Sequence, residues 1–496
     1  MERVKIEHPN AGNLRLSRRQ LLAGAAIVAG GVTANLAGMF PAGAQAPASR
    51  PNIIYIVADD LGWADVGFHG SDIKTPNLDK LAKEGAQLGQ FYVQPMCTPT
   101  RAALMTGRYP WRYGLQTLVI PTPGKYGLPV EERLLPQVLK EAGYKTVMVG
   151  KWHLGHADRK FWPRQRGFDY HYGTMVGEVD YFTRSSSGVL DWFRNDEPVE
   201  EDGYVTQLLG ADAVKQIEAH DPATPMFMYL AFTAPHSPYQ APDEYLEKYE
   251  GIEDPTRRTY AAMITCMDDE IGKVVAALDQ KGMRDNTLIV FMSDNGGNQT
   301  AMLAGDVDVS DLKLPASNAP FRGGKGMLYE GGTRVPALAN WPGKITAGEV
   351  SGMMHVVDML PTLAGLAGAR VDGGKTLDGM DVWQTISEGK ASPRHEIVYN
   401  IEPFRGGVRI DDWKLIWRTP LPSAIELYNI PQDPSETANL AETNVEKVAE
   451  LKARIEQLAR ESAKPLFMVE AFAAVTDAAH GPPSLPNEDA FFTQGD

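Results

Sequence analysis

The sequence predicts an α/β fold: a large, mainly parallel sheet flanked by helices, followed by a smaller C-terminal antiparallel sheet plus helix. Three observations carry this expectation. Apolar runs rich in β-branched residues recur at 52–58 (NIIYIVA), 146–149 (TVMV), 226–232 (MFMYLAF) and 288–292 (LIVFM). Runs without polar alternation belong to strands buried on both faces, as parallel strands are. Helical patterns lie between them. Residues 134–142 precede the second run, and Tyr260, Met263, Ile264, Met267, Ile271, Val274, Val275 and Leu278 recur at steps of three and four before the fourth. That spacing places one apolar face on a helix, and alternating strand and helix make a parallel sheet. From about residue 395 the texture changes to short strand-like pieces at 396–400, 407–410, 413–417 and 426–428. An amphipathic helix over 444–462 follows, with Val448, Leu451, Ile455 and Leu458 on one face.

Length and composition agree with this plan. A chain of 496 residues is long enough for two or three domains. The expected division is a leader at 1–48, a large α/β domain at 49–395, a sheet-and-helix subdomain at 396–480, and an irregular tail at 481–496 containing Pro482, Pro483 and Pro486. Apolar residues at 43% and charged residues at 22% exclude wholesale disorder and collagen-like structure. Lysine and arginine number 48 against 63 acidic residues, a formal charge of −15, which makes non-specific nucleic-acid binding unfavourable. Two cysteines, Cys97 and Cys266, exclude a disulfide scaffold and a Cys-built zinc module.

The leader has its own signature. Ser17-Arg18-Arg19-Gln20-Leu21-Leu22 is a twin-arginine pattern, and an Ala/Gly-rich apolar run continues to Phe40. Cleavage after Ala44 (Ala42-Gly43-Ala44) or after Ala46 (Ala44-Gln45-Ala46) would release the remainder. A transmembrane anchor is the alternative reading of so long an apolar run. The expectation is export of a folded protein by the twin-arginine machinery to the periplasm or medium, without stable membrane insertion after cleavage. That route suits a protein that acquires a cofactor or modification before export.

Each long strand runs directly into polar residues: Asp59-Asp60 after the first, Lys151-Trp152-His153 after the second, Pro235-His236 after the third, and Asp294-Asn295-Gly296-Gly297 after the fourth. The carboxyl ends of parallel strands face one crevice, so these segments should meet. Asp59, Asp60, Asp294 and Asn295 are hard oxygen donors that suit Ca²⁺ or Mg²⁺. Taken singly, an Asp-Asp pair reads as a helix cap and Asp-Asn-Gly-Gly as a turn; their convergence is what favours a cation.

Cys97-Thr98-Pro99-Thr100-Arg101 is the most specific stretch. With Thr98 as N-cap and Pro99 at N1, it starts a helix that continues through residues 102–105. Cys97 then stands at a helix N-terminus suited to an anion, with Arg101 one turn along. The alternative for an isolated cysteine is a buried structural thiol.

The string Cys-x-Pro-x-Arg is the signature of type I sulfatases, and the resemblance covers nearly all of the chain beyond the leader. Residues 51–63 (PNIIYIVADDLGW) resemble the N-terminal signature of that family and 150–155 (GKWHLG) the second. Segments 412–416 (DWKLI) and 426–429 (ELYN) are similar to its C-terminal part. Within the family the chain resembles arylsulfatase B, an N-acetylgalactosamine-4-sulfatase, at 62–70 (GWADVGFHG), 166–169 (RGFD) and 377–389 (LDGMDVWQTISEG). It departs from that enzyme in having no cysteines to spare for disulfides.

The resemblance implies an alkaline-phosphatase-like fold and hydrolysis of sulfate monoesters of aryl alcohols or sulfated sugars. It implies that Cys97 is oxidised to formylglycine by a dedicated maturation enzyme, which sets aside a Cys97–Cys266 disulfide. It further implies one Ca²⁺ per chain held by Asp59, Asp60, Asp294 and Asn295, with modified Cys97 completing the shell. A formylglycine hydrate would attack sulfur, and loss of a proton from its second hydroxyl would expel sulfate. His153 would be the base for that elimination; Arg101 and Lys151 would neutralise and orient; His236 and Lys325 would serve the leaving group. Two other readings stay open: a phosphate or phosphonate ester hydrolase of the same superfamily, and an inactive exported glycan-binding homologue.

Overall fold

The computed structural model describes residues 50–299, 314–420 and 422–480. The twin-arginine leader and the tail at 481–496 lie outside the described residues. The described residues form one compact unit.

A ten-stranded sheet organises it. In chain order its strands are β1 (Asn52–Ala58), β2 (Ala86–Leu88), β3 (Lys145–Gly150), β4 (Tyr170–Gly173), β5 (Phe193–Arg194), β6 (Glu197–Pro198), β7 (Met226–Ala231), β8 (Thr287–Ser293), β9 (Ala337–Asn340) and β10 (Gly348–Val350). Their spatial order is β10-β2-β9-β8-β1-β7-β3-β4-β5-β6. The central strands β8, β1, β7, β3 and β4 run parallel, while β9 and β5 pair antiparallel at either side. The four apolar runs are therefore β1, β3, β7 and β8, buried along nearly their whole length as both-face burial requires.

Alternation along β1 divides the core. Ile53, Tyr55 and Val57 join one apolar cluster, and Ile54, Ile56 and Ala58 the other. The first cluster packs under α2 (Cys97–Thr106), α3 (Leu135–Glu141) and α6 (Met359–Ala367); the second under α1 (Pro76–Lys83), α4 (Val205–Ala219) and α5 (Pro255–Gln280). Helices on both faces of a parallel sheet make three layers. In the C-terminal region, antiparallel strands β11 (Glu396–Glu402), β12 (Arg405–Ile410), β13 (Trp413–Arg418) and β14 (Ala424–Asn429) form a four-stranded sheet. Helix α7 (Val445–Glu461) turns Leu451, Ile455 and Leu458 inward, as its spacing predicts. These side chains join Val398, Val408, Leu415 and Leu427 in the first cluster, continuous with the main core. A last helix, α8 (Leu466–His480), follows.

One local expectation is corrected. Helix α2 begins at Cys97, with Met96 as its N-cap, two residues before the predicted start at Pro99. The Thr98 hydroxyl is engaged elsewhere: it accepts from Ile120 N at 3.2 Å and donates to the His153 carbonyl at 3.0 Å. A tertiary hydrogen bond has outcompeted a local one.

Candidate active site

The sheet register places the strand ends side by side. Asp294 N donates to Ala58 O at 3.0 Å, Asp59 N to Ala234 O at 3.0 Å, and Lys151 N to Ala231 O at 2.8 Å. The turn out of β3 needs glycine. Gly150 has φ +115°, and a Cβ there would stand 1.8 Å from Ala231 O. Asp60 and His153 also carry positive φ, +64° and +57°. Strained backbone immediately after β1 and β3 is the kind of cost that functional sites retain.

Cys97 lies at the first turn of a wholly buried helix. Its Sγ is 3.4 Å from Asp59 Oδ1, 3.9 Å from Asp60 Oδ1 and 3.3 Å from Asn295 Oδ1. Asn295 Nδ2 donates to Asp60 Oδ1 at 2.8 Å. The other carboxylate oxygens face cations. Asp59 Oδ2 meets Lys151 Nζ, with Arg101 Nη2 at 3.4 Å. Asp60 Oδ2 meets Lys325 Nζ at 2.7 Å and His236 Nε2 at 3.6 Å. Asp294 Oδ2 accepts from Arg101 Nε at 2.9 Å and Nη2 at 2.7 Å, while its Oδ1 accepts from Asp60 N at 3.3 Å. Arg101 Nη1 also donates to Lys151 O at 3.0 Å.

Every residue picked out from the sequence thus reaches one centre, with His153 reaching its rim. The His153 Nε2 lies 3.2 Å from Ile120 O, which fixes a proton on Nε2 and leaves Nδ1, buried and without a hydrogen-bond partner, as the free lone pair. His236 is held by a turn that Tyr181 braces, its hydroxyl 2.7 Å from Thr233 O and 2.9 Å from His236 O. Cys266, by contrast, is a buried free thiol on α5, a small core residue as expected.

Burial and charge set the protonation states. Burial disfavours charge on Asp59, but Lys151, His236 and Arg101 outweigh it and hold the carboxyl below its usual range. Asp60 is likewise held low against burial by Lys325 and His236. Burial, then Asp294 and Asp59, push the Cys97 thiol well up, so an unmodified Cys97 is a neutral thiol and a poor nucleophile. Burial, then Lys151 and Arg101, keep His153 neutral.

The donor set fits a hard cation. Three carboxylates and one amide oxygen supply oxygen donors, and Asp59, Asp60, Cys97 and His236 each offer an atom within 4.8 Å of one another. The formal charges of Asp59, Asp60 and Asp294 are matched by Arg101, Lys151 and Lys325. A divalent ion added to that balance gives a net positive site, suited to an anionic ester.

The centre opens into a cleft of about 700 Å³, lined by Cys97, His153, His236 and Lys325 together with further residues. These include the strip from Leu118 to Pro123, and Glu178, Ser187, Ser237 and Asn298. The only signal for the strip was a short apolar stretch ending in Pro121 and Pro123, which reads as an ordinary loop. Gly177 lines the same cleft beside His153. A Cβ there would stand 2.3 Å from His153 Cε1.

Comparison with known proteins converges on the same reading. Residues 51–369 match the sulfatase family, and residues 323–461 match the C-terminal region of N-sulphoglucosamine sulphohydrolase. The chain is 42% identical to arylsulfatase J of Mus musculus over 399 residues, covering 78% of this chain and 64% of that protein. It is 36% identical to N-acetylgalactosamine-6-sulfatase of Homo sapiens, covering 73% of this chain and 70% of the relative. It therefore spans somewhat less than two thirds of the length of arylsulfatase J. Among solved structures, Ps i-CgsB in complex with k-i-k-neocarrahexaose superposes with a TM-score of 0.77 at 34% identity, covering 90% of this chain and all of that one. The PsFucS1 sulfatase from Pseudoalteromonas sp. superposes with a TM-score of 0.69 at 27% identity, covering 84% and 91%. With its strand-end carboxylates, its Cys-x-Pro-x-Arg helix and these relatives, the chain belongs to the sulfatase family.

Proposed function

We propose that this chain is a sulfuric ester hydrolase acting on sulfate monoesters of aryl alcohols or sugars. On this reading Cys97 is converted to formylglycine, and one Ca²⁺ is held by Asp59, Asp60, Asp294, Asn295 and modified Cys97. The observation that carries the proposal is the position of Cys97, at the head of a buried helix with three side-chain oxygens 3.3–3.9 Å from its Sγ. A thiol kept neutral there has no chemistry of its own to offer a sulfate ester.

What the bound cation and the oxidised Cys97 side chain supply is polarisation of a sulfate oxygen and a hydrated aldehyde as nucleophile. The chain's own residues do the rest. Arg101 and Lys151, fully buried and already oriented by Asp294 and Asp59, offset charge at the reacting group without reorganising. The free Nδ1 of neutral His153 takes a proton as sulfate leaves, and the Ile120 carbonyl steadies the imidazolium through Nε2. His236 and Lys325, on the cleft side of Asp60, meet the bridging oxygen and return a proton to the departing alcohol.

The proposal extends to the cell: a formylglycine-generating enzyme acts first, then the twin-arginine machinery exports the protein to the periplasm or medium. Mass spectrometry of the Cys97 peptide from the native host, alongside sulfate release from 4-nitrophenyl sulfate and phosphate release from 4-nitrophenyl phosphate, tests it. Oxidised Cys97 with sulfate release preferred is the expected result. Preferred phosphate release would reassign the enzyme, and an unmodified thiol with neither activity would make it a binding protein.

A further inference from the structure

The outer lining of the cleft takes no part in the chemistry above, yet its charges are lopsided. The strip Leu118 to Pro123 brings no charge. The cations of the centre are committed: Lys325 to Asp60 at 2.7 Å, Lys151 to Asp59, and Arg101 to Asp294. Lys325 is the only lysine or arginine that lines the cleft among the described residues. Glu178 lines the same cleft, is exposed, and has no ion-pair or hydrogen-bond partner among the described residues. An uncompensated carboxylate at the entrance to a site built for anions works against binding unless it discriminates.

We propose that Glu178 sorts substrates by the charge of their organic half, so that the enzyme takes sulfate esters whose alcohol moiety is uncharged and rejects those carrying a carboxylate or a second sulfate there. This rests on the sulfatase reading and adds the substrate class. The sulfate itself is received by the inner cations, whereas a second anion on the organic half meets Glu178 with no free cation among the described lining residues to offset it. Glu178 is exposed, so the repulsion acts through solvent and is screened by salt. Neutral hydroxyl groups meet an acceptor instead.

The test uses the matured, formylglycine-bearing enzyme and two probes, 4-nitrophenyl sulfate and its ring-carboxylated analogue, each assayed with wild type and Glu178→Gln at low ionic strength. The quantity read is the ratio of kcat/KM for the two probes in wild type divided by the same ratio in the variant. Leaving-group reactivity cancels in it. A value of about five is expected, falling toward one as salt is raised. Glu178→Lys should move the preference further toward the carboxylated probe. Glu84→Gln, the same charge change outside the cleft lining, should return a value near one. A value near one for Glu178→Gln at low salt, or an equal shift from Glu84→Gln, overturns the assignment. Failure of matured wild type to release sulfate from either probe overturns the sulfatase reading itself.

Discussion

At Gly177 the missing side chain is a steric requirement. A methyl group there would meet the His153 ring 2.3 Å from Cε1 and press it off the Ile120 carbonyl. Gly177→Ala should therefore fold normally and lose about 10- to 100-fold in kcat, because a base displaced by a fraction of an ångström no longer reaches its proton. Circular dichroism and a thermal melt alongside the kinetics check both halves; a kcat equal to wild type removes His153 from its role. Cys97 makes the companion prediction. Cys97→Ser preserves the buried helix start but removes the thiol that maturation oxidises, and a serine sulfate lacks the second hydroxyl that would expel the product. Turnover should fall at least about 10³-fold, and a stable adduct 80 Da heavier than the protein should appear by intact mass. A fast-turning serine variant would show that the thiol's oxidation is dispensable.

At the scale of elements, α8 braces the chain just beyond the cleft strip although it is remote in sequence. Glu470 accepts the Lys125 amide at 2.9 Å and 3.2 Å through its two oxygens, beside the strip from Leu118 to Pro123. The helix is entered through Leu466 N, which donates to Gly114 O at 2.8 Å. Glu470→Ala should loosen the strip and raise KM for an aryl sulfate about three- to fivefold with kcat nearly unchanged, the scale of one lost charge-assisted hydrogen bond on a partly exposed segment. Glu470→Gln, which retains an acceptor, should restore most of the loss. What the sequence made legible follows the same division. Strands β1, β3, β7 and β8 announce themselves by unbroken apolar runs, and parallel topology alone brings Asp59, Asp60, Lys151, His236, Asp294 and Asn295 together. Strand β4, Tyr-His-Tyr-Gly, is too polar and short to stand out, and the edge strands of two to four residues lie below any periodicity. The start of α2 differs from the expectation because the Thr98 hydroxyl accepts from the Ile120 amide, 22 residues away, instead of from its own helix. Glu178 and the apolar strip have neither period nor motif, since a cleft wall is defined only by what it faces.

Across the whole molecule, a buried ionic cluster ties the C-terminal sheet to the loop that carries Lys325. Lys414 of β13 lies 2.9 Å from both Glu330 Oε1 and Glu436 Oε1, all three fully buried. Tyr92 and Tyr399 hydroxyls donate to Glu330 at 2.7 Å and 3.1 Å, and Glu330 N donates to Glu436 Oε2 at 2.6 Å. The segment from Arg322 is closed by Gly331 N donating to Arg322 O at 2.9 Å, so the position of Lys325 depends on how Glu330 is anchored. Two acids share one lysine, and they separate. Burial opposes charge on Glu330, but Lys414, Arg334 and Arg409 hold it at about 2. Burial, only partly offset by Lys414 and reinforced by Glu330, pushes Glu436 up to about 7. A folded-state pKa above the unfolded value of about 4.3 means that the native protein binds the extra proton between the two. That contribution to stability is complete below about pH 4.3 and is lost as pH rises through about 7. Urea midpoints measured from pH 5.5 to pH 8.5 should fall for wild type, and Glu436→Gln, neutral throughout, should flatten the decline. Coincident slopes for the two proteins would place the titrating group elsewhere. Lys414→Met leaves two buried acids without their lysine and should destabilise by about 3–5 kcal/mol at pH 8.5 and by less at pH 5.5, where Glu436 is already protonated. Because the same cluster seats the Lys325 loop, the folded fraction of that variant should also turn over more slowly, at a site its substitution never touches.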